Sequence, residues 1–205
     1  MNISMLTTTQ LALLLGLATA LVAVTARRAA VVGLAIQYTL RLLMVGPLLL
    51  RPVLYGQVAV ALAALMILFL SASSLAHVQR QRVVGGVSPL VRMGGLYGLF
   101  SMALAAFVAL GLYRSFPLPG LSAQVTLGCY WLLLAGLLLI VIEPTVLGQG
   151  MAAVTALNGF QMAFLTLDNG LLMIALLSLL EIGLVLTVAV LSEQQLEQLA
   201  EAEEG

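Results

Sequence analysis

Two carboxylates lie within one of the most apolar stretches of this 205-residue chain, which runs from Asn158 to Gly183. Asp168 follows "FLTL" and Glu181 follows "LLSLL", so both acids have apolar neighbours in the sequence. A carboxylate in apolar surroundings is costly unless it is paired, solvated or protonated. Either the chain returns to water at Asp168, or acids are held inside a membrane for a purpose such as proton transfer.

One cation is available to meet a buried acid, and it is Arg41 in the apolar segment 29–50. With a helix rise of about 1.5 Å per residue, Arg41 lies about 18 Å beyond residue 29. Glu181 lies about 15 Å beyond residue 171 on the same basis. Both depths are close to the middle of a hydrocarbon core about 30 Å thick. We therefore expect Arg41 and Glu181 to form a buried pair near mid-membrane.

Three amide side chains reach a similar depth: Gln37 lies one turn before Arg41, and Asn158 and Gln161 lie one turn apart on a later segment. Two interpretations of this polar layer remain open. It is an ion pair that fixes helix register, or it is a proton or ion path. In the second case Glu181 and water beside the amides would carry the proton, because an arginine with a pKa above about 12 does not release one.

Asp168 belongs to a different pattern, because Asp168-Asn169-Gly170 is a strong turn signal. Asn and Gly tolerate left-handed backbone, and Asp caps the start of a following helix. This favours a hairpin between two helices with Asp168 at the membrane surface, and Glu143 with the following proline marks the previous break. Gly159 falls inside a helix instead, where it predicts a close helix contact.

The elements that position these residues follow from the composition. Hydrophobic residues make up 62% of the chain and charged residues only 8%. A soluble domain normally has about 25% charged residues. The apolar runs are also too continuous for barrel strands. We predict an all-α integral membrane protein, a polytopic helix bundle of about seven transmembrane helices. The predicted helices cover approximately residues 5–25, 29–50, 53–76, 93–113, 125–142, 146–167 and 171–191.

The distribution of arginine predicts the orientation of this bundle. Five arginines lie in the loops after helices one, three and five, and two lie in the loops after helices two and four. This places the C-terminus in the cytoplasm, with the chain in a bacterial-type inner membrane. Residues 1–192 form one transmembrane domain, and residues 193–205 form an acidic cytoplasmic tail that continues the last helix. The longest connection, residues 77–95, is expected to be a flexible loop along the headgroups or a docking surface.

Several function classes are excluded by what the sequence lacks. There is no Lys, so a retinal Schiff base is impossible, and one Cys and one His offer no zinc or haem cluster. The chain contains no Gly-rich phosphate loop, no nucleophile with a base and no basic-aromatic stripe. We therefore expect no catalytic residues, no cofactor, no metal site and no nucleic-acid partner.

The segment "FLTLDNGLLMIALLSLLEIGLVLT" resembles the membrane subunits of the hydrogenase-4 component E type. Those subunits are related to subunit K of respiratory complex I and to the C subunit of Mrp-type antiporters. The group typically shows Glu-Asn-Gly, then an apolar run and Glu-hydrophobic-Gly, which match Asp168–Gly170 and Glu181–Gly183 here. The resemblance covers about a quarter of the chain. It implies a helical subunit between larger antiporter-like subunits, with carboxylates in a midplane proton path.

The sequence departs from that pattern at three points, and one of them is a shorter interval between the two motifs. Thr187 stands where the family often has an Asp, and the family's Lys in an earlier helix has no counterpart. The leading hypothesis is a non-catalytic membrane subunit of a proton- or sodium-translocating complex, whose partners are the lipid bilayer and other membrane subunits. The alternatives are a stand-alone small secondary transporter and a membrane scaffold or assembly protein.

Overall fold

All regular secondary structure that the structure describes is helical. The computed structural model describes residues 15–20, 22, 27–84, 94–167 and 170–204. The helical residues 15–20 are labelled α1. The remaining α-helices are α2 (Arg27–Val45), α3 (Arg51–Val84), α4 (Gly94–Ser115), α5 (Ala123–Ile142), α6 (Val146–Leu167) and α7 (Leu171–Glu204). The all-α prediction is confirmed for this part of the chain.

The predicted starts and ends of the later helices agree closely with the structure, but α2 is shorter than expected. It ends at Val45 instead of residue 50, and a 3-10 helix (Gly46–Leu48) follows it. Pro47 accounts for this end, because proline lacks a backbone donor and clashes with the preceding turn of an α-helix. The early end of α2 brings Arg41 closer to the end of the bundle than the sequence suggested.

Two helices continue beyond their predicted apolar segments. α3 runs to Val84, so the prediction of a loop from residue 77 is wrong for residues 77–84; residues 85–93 lie outside the described part of the chain. "HVQRQRVV" contains no glycine or proline, so nothing local ends the helix there. α7 runs to Glu204, which confirms the predicted helical extension of the tail. Most of the first predicted helix, residues 5–25, lies outside the described residues.

Three of the described helices are long and apolar enough to cross a membrane. The stretches are Arg51–Ser74, Ala123–Ile142 and Leu171–Gln195, and Ala29–Val45 and Phe100–Ser115 are shorter apolar helices. Large apolar side chains cover their outer faces: Phe107 is 78% exposed and Leu172 is 76% exposed. A helix bundle with such an exterior is suited to a lipid environment, because exposed apolar surface of this extent is unfavourable in water.

Small residues allow α6 to lie at the centre of the bundle against α2, α3, α5 and α7. A Cβ atom on Gly136 of α5 would lie 2.3 Å from the backbone nitrogen of Ala156 in α6. A Cβ on Gly159 of α6 would lie 2.5 Å from the backbone nitrogen of Leu133. The α5 and α6 backbones are therefore in direct contact, which confirms the predicted close helix contact at Gly159.

The buried side chains divide into apolar clusters at the two ends of the bundle. We call the end where α2 and α6 stop and α3 and α7 start the α2–α3 end. One cluster, which includes Met44, Met162 and Leu165, lies there. Another, which includes Leu34 and Val188, fills the opposite end. The polar side chains described below lie between these two clusters.

Candidate functional site: a buried polar network

Arg41 lies in the interior of the bundle, where its side chain is only 2% exposed. One terminal nitrogen, Nη1, donates to Asn158 Oδ1 at 2.5 Å and also to Gln161 Oε1. The other, Nη2, donates to Gln57 Oε1 at 2.8 Å. Three neutral amide oxygens therefore replace the water that a guanidinium would lose on burial. The guanidinium carbon also lies 5.3 Å from the centre of the Tyr38 ring, within cation–π range.

Glu181 lies on α7 and is 1% exposed. Its Oε1 accepts a hydrogen bond from the Tyr38 hydroxyl, and its Oε2 accepts one from Gln161 Nε2 at 2.8 Å. Both partners donate to the carboxyl group, and hydrogen bonds of this kind stabilise a buried carboxylate. Tyr38 is one turn before Arg41 on α2. The same face of α2 therefore places the Tyr38 hydroxyl against Glu181 and the Arg41 guanidinium against the amide oxygens.

The expected pairing of Arg41 with Glu181 is mediated by Gln161. The Gln161 carbonyl accepts from Arg41 and its amino group donates to Glu181 and, at 3.4 Å, to the Leu177 carbonyl. Within the described part of the chain, the two charged groups make no direct salt bridge. An amide suits this position because it offers an acceptor on one side and a donor on the other.

A further contact closes this network into a ring that joins four helices. Gln57 Nε2 on α3 donates to the Ser178 hydroxyl on α7 at 3.3 Å. Ser178 lies one turn before Glu181, so the ring runs through α2, α3, α7 and α6 and returns to Arg41. Removing Glu181 would leave the Tyr38 hydroxyl on α2 and one N–H of Gln161 on α6 without partners.

Gln37 belongs to a second chain of hydrogen bonds on the neighbouring face of α2. Its Nε2 donates to the Thr19 hydroxyl at 3.1 Å, and its Oε1 accepts from the Thr155 hydroxyl at 3.2 Å. Thr19 and Thr155 each donate to the carbonyl of the residue four positions earlier in their own helix or segment. Gln37 therefore lies next to the ring along α2, but it bonds Thr19 and Thr155 and no member of the ring.

The other sequence candidates lie away from the ring. Thr187 is exposed on α7 and donates to the Gly183 carbonyl of its own helix. Glu143 lies in the α5–α6 connection, where its backbone carbonyl accepts from Gln149. Asp168 lies outside the described residues, so its predicted hairpin role stays a prediction.

The ring lies much nearer the α2–α3 end of the bundle than the opposite end. Arg41 is four residues from Val45, or about 6 Å along the axis, and fourteen residues from Arg27, or about 21 Å. Gln161 is six residues from the end of α6, about 9 Å, and fifteen from its start, about 22 Å. Because α2 ends earlier than predicted, Arg41 lies nearer the end of its helix than the sequence suggested, and its expected depth near mid-membrane stays a prediction.

One donor in the network is not used. Asn158 is 1% exposed, and its Nδ2 has no hydrogen-bond partner within the described structure, although its Oδ1 binds Arg41. Buried donors without partners are uncommon and require an explanation.

Sequence reasoning did not select Tyr38, Gln57, Ser178 or Thr155 as site residues. Tyr38 carries a signal that could have found it, because it shares a helix face with Arg41 at a spacing of three residues. Gln57 is also a polar residue inside an apolar run, which marks it as a candidate by the same rule that selected Gln37. Ser178 and Thr155 carry no such signal, since a hydroxyl in a helix usually bonds its own backbone.

Comparison of the chain with known protein families, with curated proteins and with solved structures finds no match.

Proposed function

We propose that this protein is a non-catalytic membrane subunit of a proton-translocating complex, in which Glu181 is the group that takes up and releases the proton. The observation that carries the proposal is the burial of Glu181 in a ring that joins four helices and contains a permanent cation. Buried ionisable residues in membrane bundles are costly and mark ion and proton pathways.

The partners of Glu181 favour a proton over a sodium ion. Tyr38 and Gln161 both direct hydrogens at the carboxyl oxygens. A bound cation would need oxygen lone pairs in those directions instead. A proton added at Oε1 needs only that the Tyr38 hydroxyl rotates from donor to acceptor, because a hydroxyl can play both roles.

Arg41 would set the charge balance without carrying the proton. A guanidinium stays protonated, so it cannot relay a proton onward. It is linked to Glu181 through Gln161, and it supplies the countercharge of the carboxylate inside the ring. Proton uptake at Glu181 would leave the ring with one net positive charge, that of Arg41.

The role as a subunit rests on the extent of apolar exterior and on the resemblance of the C-terminal segment. The second motif of the resemblance begins at Glu181, which is the acid inside the ring. All seven predicted helices would then span the membrane beside larger partner subunits.

The test is proton flux through the complex that co-purifies with the tagged chain in mild detergent and is reconstituted in vesicles. Glu181→Gln is expected to lower the flux at least about tenfold, because one proton-transfer group contributes about 10²–10⁴ to a rate. Glu193→Gln is the matched control, since Glu193 lies on the same helix with an exposed side chain. Tyr38→Phe is a second variant with a smaller structural change, and it should slow the flux less.

Three results would contradict the proposal. Purification of the chain as a monomer without partner proteins would exclude the subunit role. Normal flux in an assembled Glu181→Gln complex would exclude Glu181 as the proton carrier. Equal loss in Glu193→Gln would show that the effect is not specific to the ring.

A further inference from the structure

Buried apolar clusters lie on both sides of the ring, and they differ in how completely they separate it from the ends of the bundle. Toward the opposite end, α2, α3, α6 and α7 pack against one another with buried apolar side chains, including Leu34, Leu68, Val154 and Val185, each less than 5% exposed. A Cβ on Gly150 would lie 2.3 Å from the Val188 side chain, so α6 and α7 also leave no space there. Among the described residues, packed apolar side chains therefore separate the ring from this end.

Toward the α2–α3 end, a narrow crevice leads away from the ring. Its empty volume is about 200 Å³, and Arg41 and Gln57 line its inner end. Val45, Leu49 and Leu165 line it toward the α2–α3 end, where α2 gives way to the 3-10 helix and α6 is close to its last residue. The crevice touches Arg41, and in this conformation it is too narrow for a water molecule.

We infer that this crevice is the route by which water reaches the ring, at Arg41 and Gln57, from the α2–α3 side. The inference rests on the proposed function and names the side from which its proton arrives. Movements of Val45, Leu49 and Leu165, which line the crevice together with Leu42 and Met162, would open the route. Water that enters would meet the guanidinium and the Gln57 amide, which are polar partners of the kind that hold internal water.

The break in α2 makes this end the easier one to open. Leu49 follows the 3-10 helix, and its backbone N–H bonds the Gly46 carbonyl at 3.2 Å in a short turn instead of continuing an α-helix. Leu49 is also only partly buried, whereas Leu147 at the opposite end is 1% exposed. Local opening is least costly where backbone hydrogen bonds are few and side chains are partly solvated.

The test measures the modification of introduced cysteines by a charged, membrane-impermeant methanethiosulfonate in sealed vesicles of defined orientation. The full-length chain carries Cys129→Ala, which removes its single cysteine. Val45→Cys is compared with Leu147→Cys; both native side chains are almost fully buried, but only Val45 lines the crevice. Arg51→Cys, whose native side chain is exposed at the start of α3, identifies the vesicle face that carries the α2–α3 end.

We expect Val45→Cys to react on the order of tenfold faster than Leu147→Cys, because modification requires an accessible thiolate. The reaction should occur only in the vesicle orientation in which Arg51→Cys reacts. Leu49→Cys replaces Val45→Cys if the latter does not give a monodisperse protein. Equal rates for the crevice and control variants, or reaction from the other face, would overturn the inference.

These outcomes are independent of the proton-flux experiment, since the rates are measured without a gradient. If Val45→Cys reacts but proton flux does not need Glu181, the proposed function is refuted and the water route through the crevice is supported. If Val45→Cys does not react but proton flux does need Glu181, the water route through the crevice is refuted and the proposed function is supported.

Discussion

At the level of single residues, the interior of this protein depends on how Arg41 is held. Its charge is bound by the neutral oxygens of Asn158, Gln161 and Gln57, and the balancing carboxylate of Glu181 lies one amide away. Hydrogen bonds from the guanidinium to the amide oxygens lower the cost of burying Arg41, but only Glu181 balances its charge. The bridge through Gln161 therefore predicts that Arg41 and Glu181 depend on each other for stability.

A double-mutant cycle tests this dependence. Arg41→Gln and Glu181→Gln each leave one uncompensated buried charge, and each should lower the free energy of unfolding by about 3–5 kcal/mol. The double variant removes both charges, so it should lose less than the sum of the single losses. An interaction energy of about 1–3 kcal/mol is expected for groups in one network.

The measurement is unfolding of the purified chain in detergent, followed by circular dichroism. Gln194→Leu is a control, because Gln194 is an exposed residue on α7. Additive losses in the double variant would show that Gln161 does not couple the two charges.

Arg41 and Glu181 could be chosen from the sequence because each is a charge inside an apolar run. Their linkage could not, because a sequence does not give the rotation of an apolar helix about its axis. α3 illustrates this limit: it is apolar on all sides, and such a helix does not reveal which face is buried. Only the packed bundle shows that Gln57 faces Arg41 and that Tyr55, two residues earlier, is 70% exposed.

At the level of helices, α6 determines the geometry of the ring because it supplies both Asn158 and Gln161. Its position is set by the backbone contact with α5, where Gly136 and Gly159 leave no space for a side chain. The sequence predicted the contact at Gly159, since a glycine inside a helix usually has a packing reason. It could not predict the partner, because several segments of the chain contain small residues.

Substitutions at two helical glycines should therefore have opposite effects. Gly136→Ala introduces a Cβ 2.3 Å from the Ala156 backbone nitrogen, so α5 and α6 must separate. We expect a loss of about 1–3 kcal/mol, the usual cost of overpacking. Gly111→Ala on α4 meets nothing within 4 Å and should be neutral or gain about 0.5–1 kcal/mol from helix propensity.

Thermal unfolding of the two variants in the same detergent provides the comparison. Gly136→Ala should also reduce cross-linking of cysteines placed across the α5–α6 contact, whereas Gly111→Ala should not. Similar stability of the two variants would contradict a rigid α5–α6 backbone contact.

At the level of the whole molecule, the ring and the crevice make the two ends of the bundle different. The ring lies about 6–9 Å from the α2–α3 end along α2 and α6, and about 15 Å from it along α7, where Glu181 is ten residues from Leu171. The arginine distribution predicts that the opposite end faces the cytoplasm. The two observations together predict that the ring exchanges with the non-cytoplasmic side, and this prediction depends on the number of helices that cross the membrane.

Reporter fusions at the connections test that number directly. A phosphatase that is active only outside the cytoplasm should be active when it is inserted in the α4–α5 connection, residues 116–122. It should be inactive at Thr145 in the α5–α6 connection and after Gly205, where a fluorescent protein that folds in the cytoplasm should be bright. Phosphatase activity should differ between residues 116–122 and Thr145 because α5, which is long and apolar enough to span a bilayer, separates them. From Thr145, α6 and α7 would cross the membrane twice and return the chain to the cytoplasm. Equal phosphatase activity at residues 116–122 and at Thr145 would show that α5 does not cross the membrane. The crevice would then lie on the cytoplasmic side or within the membrane.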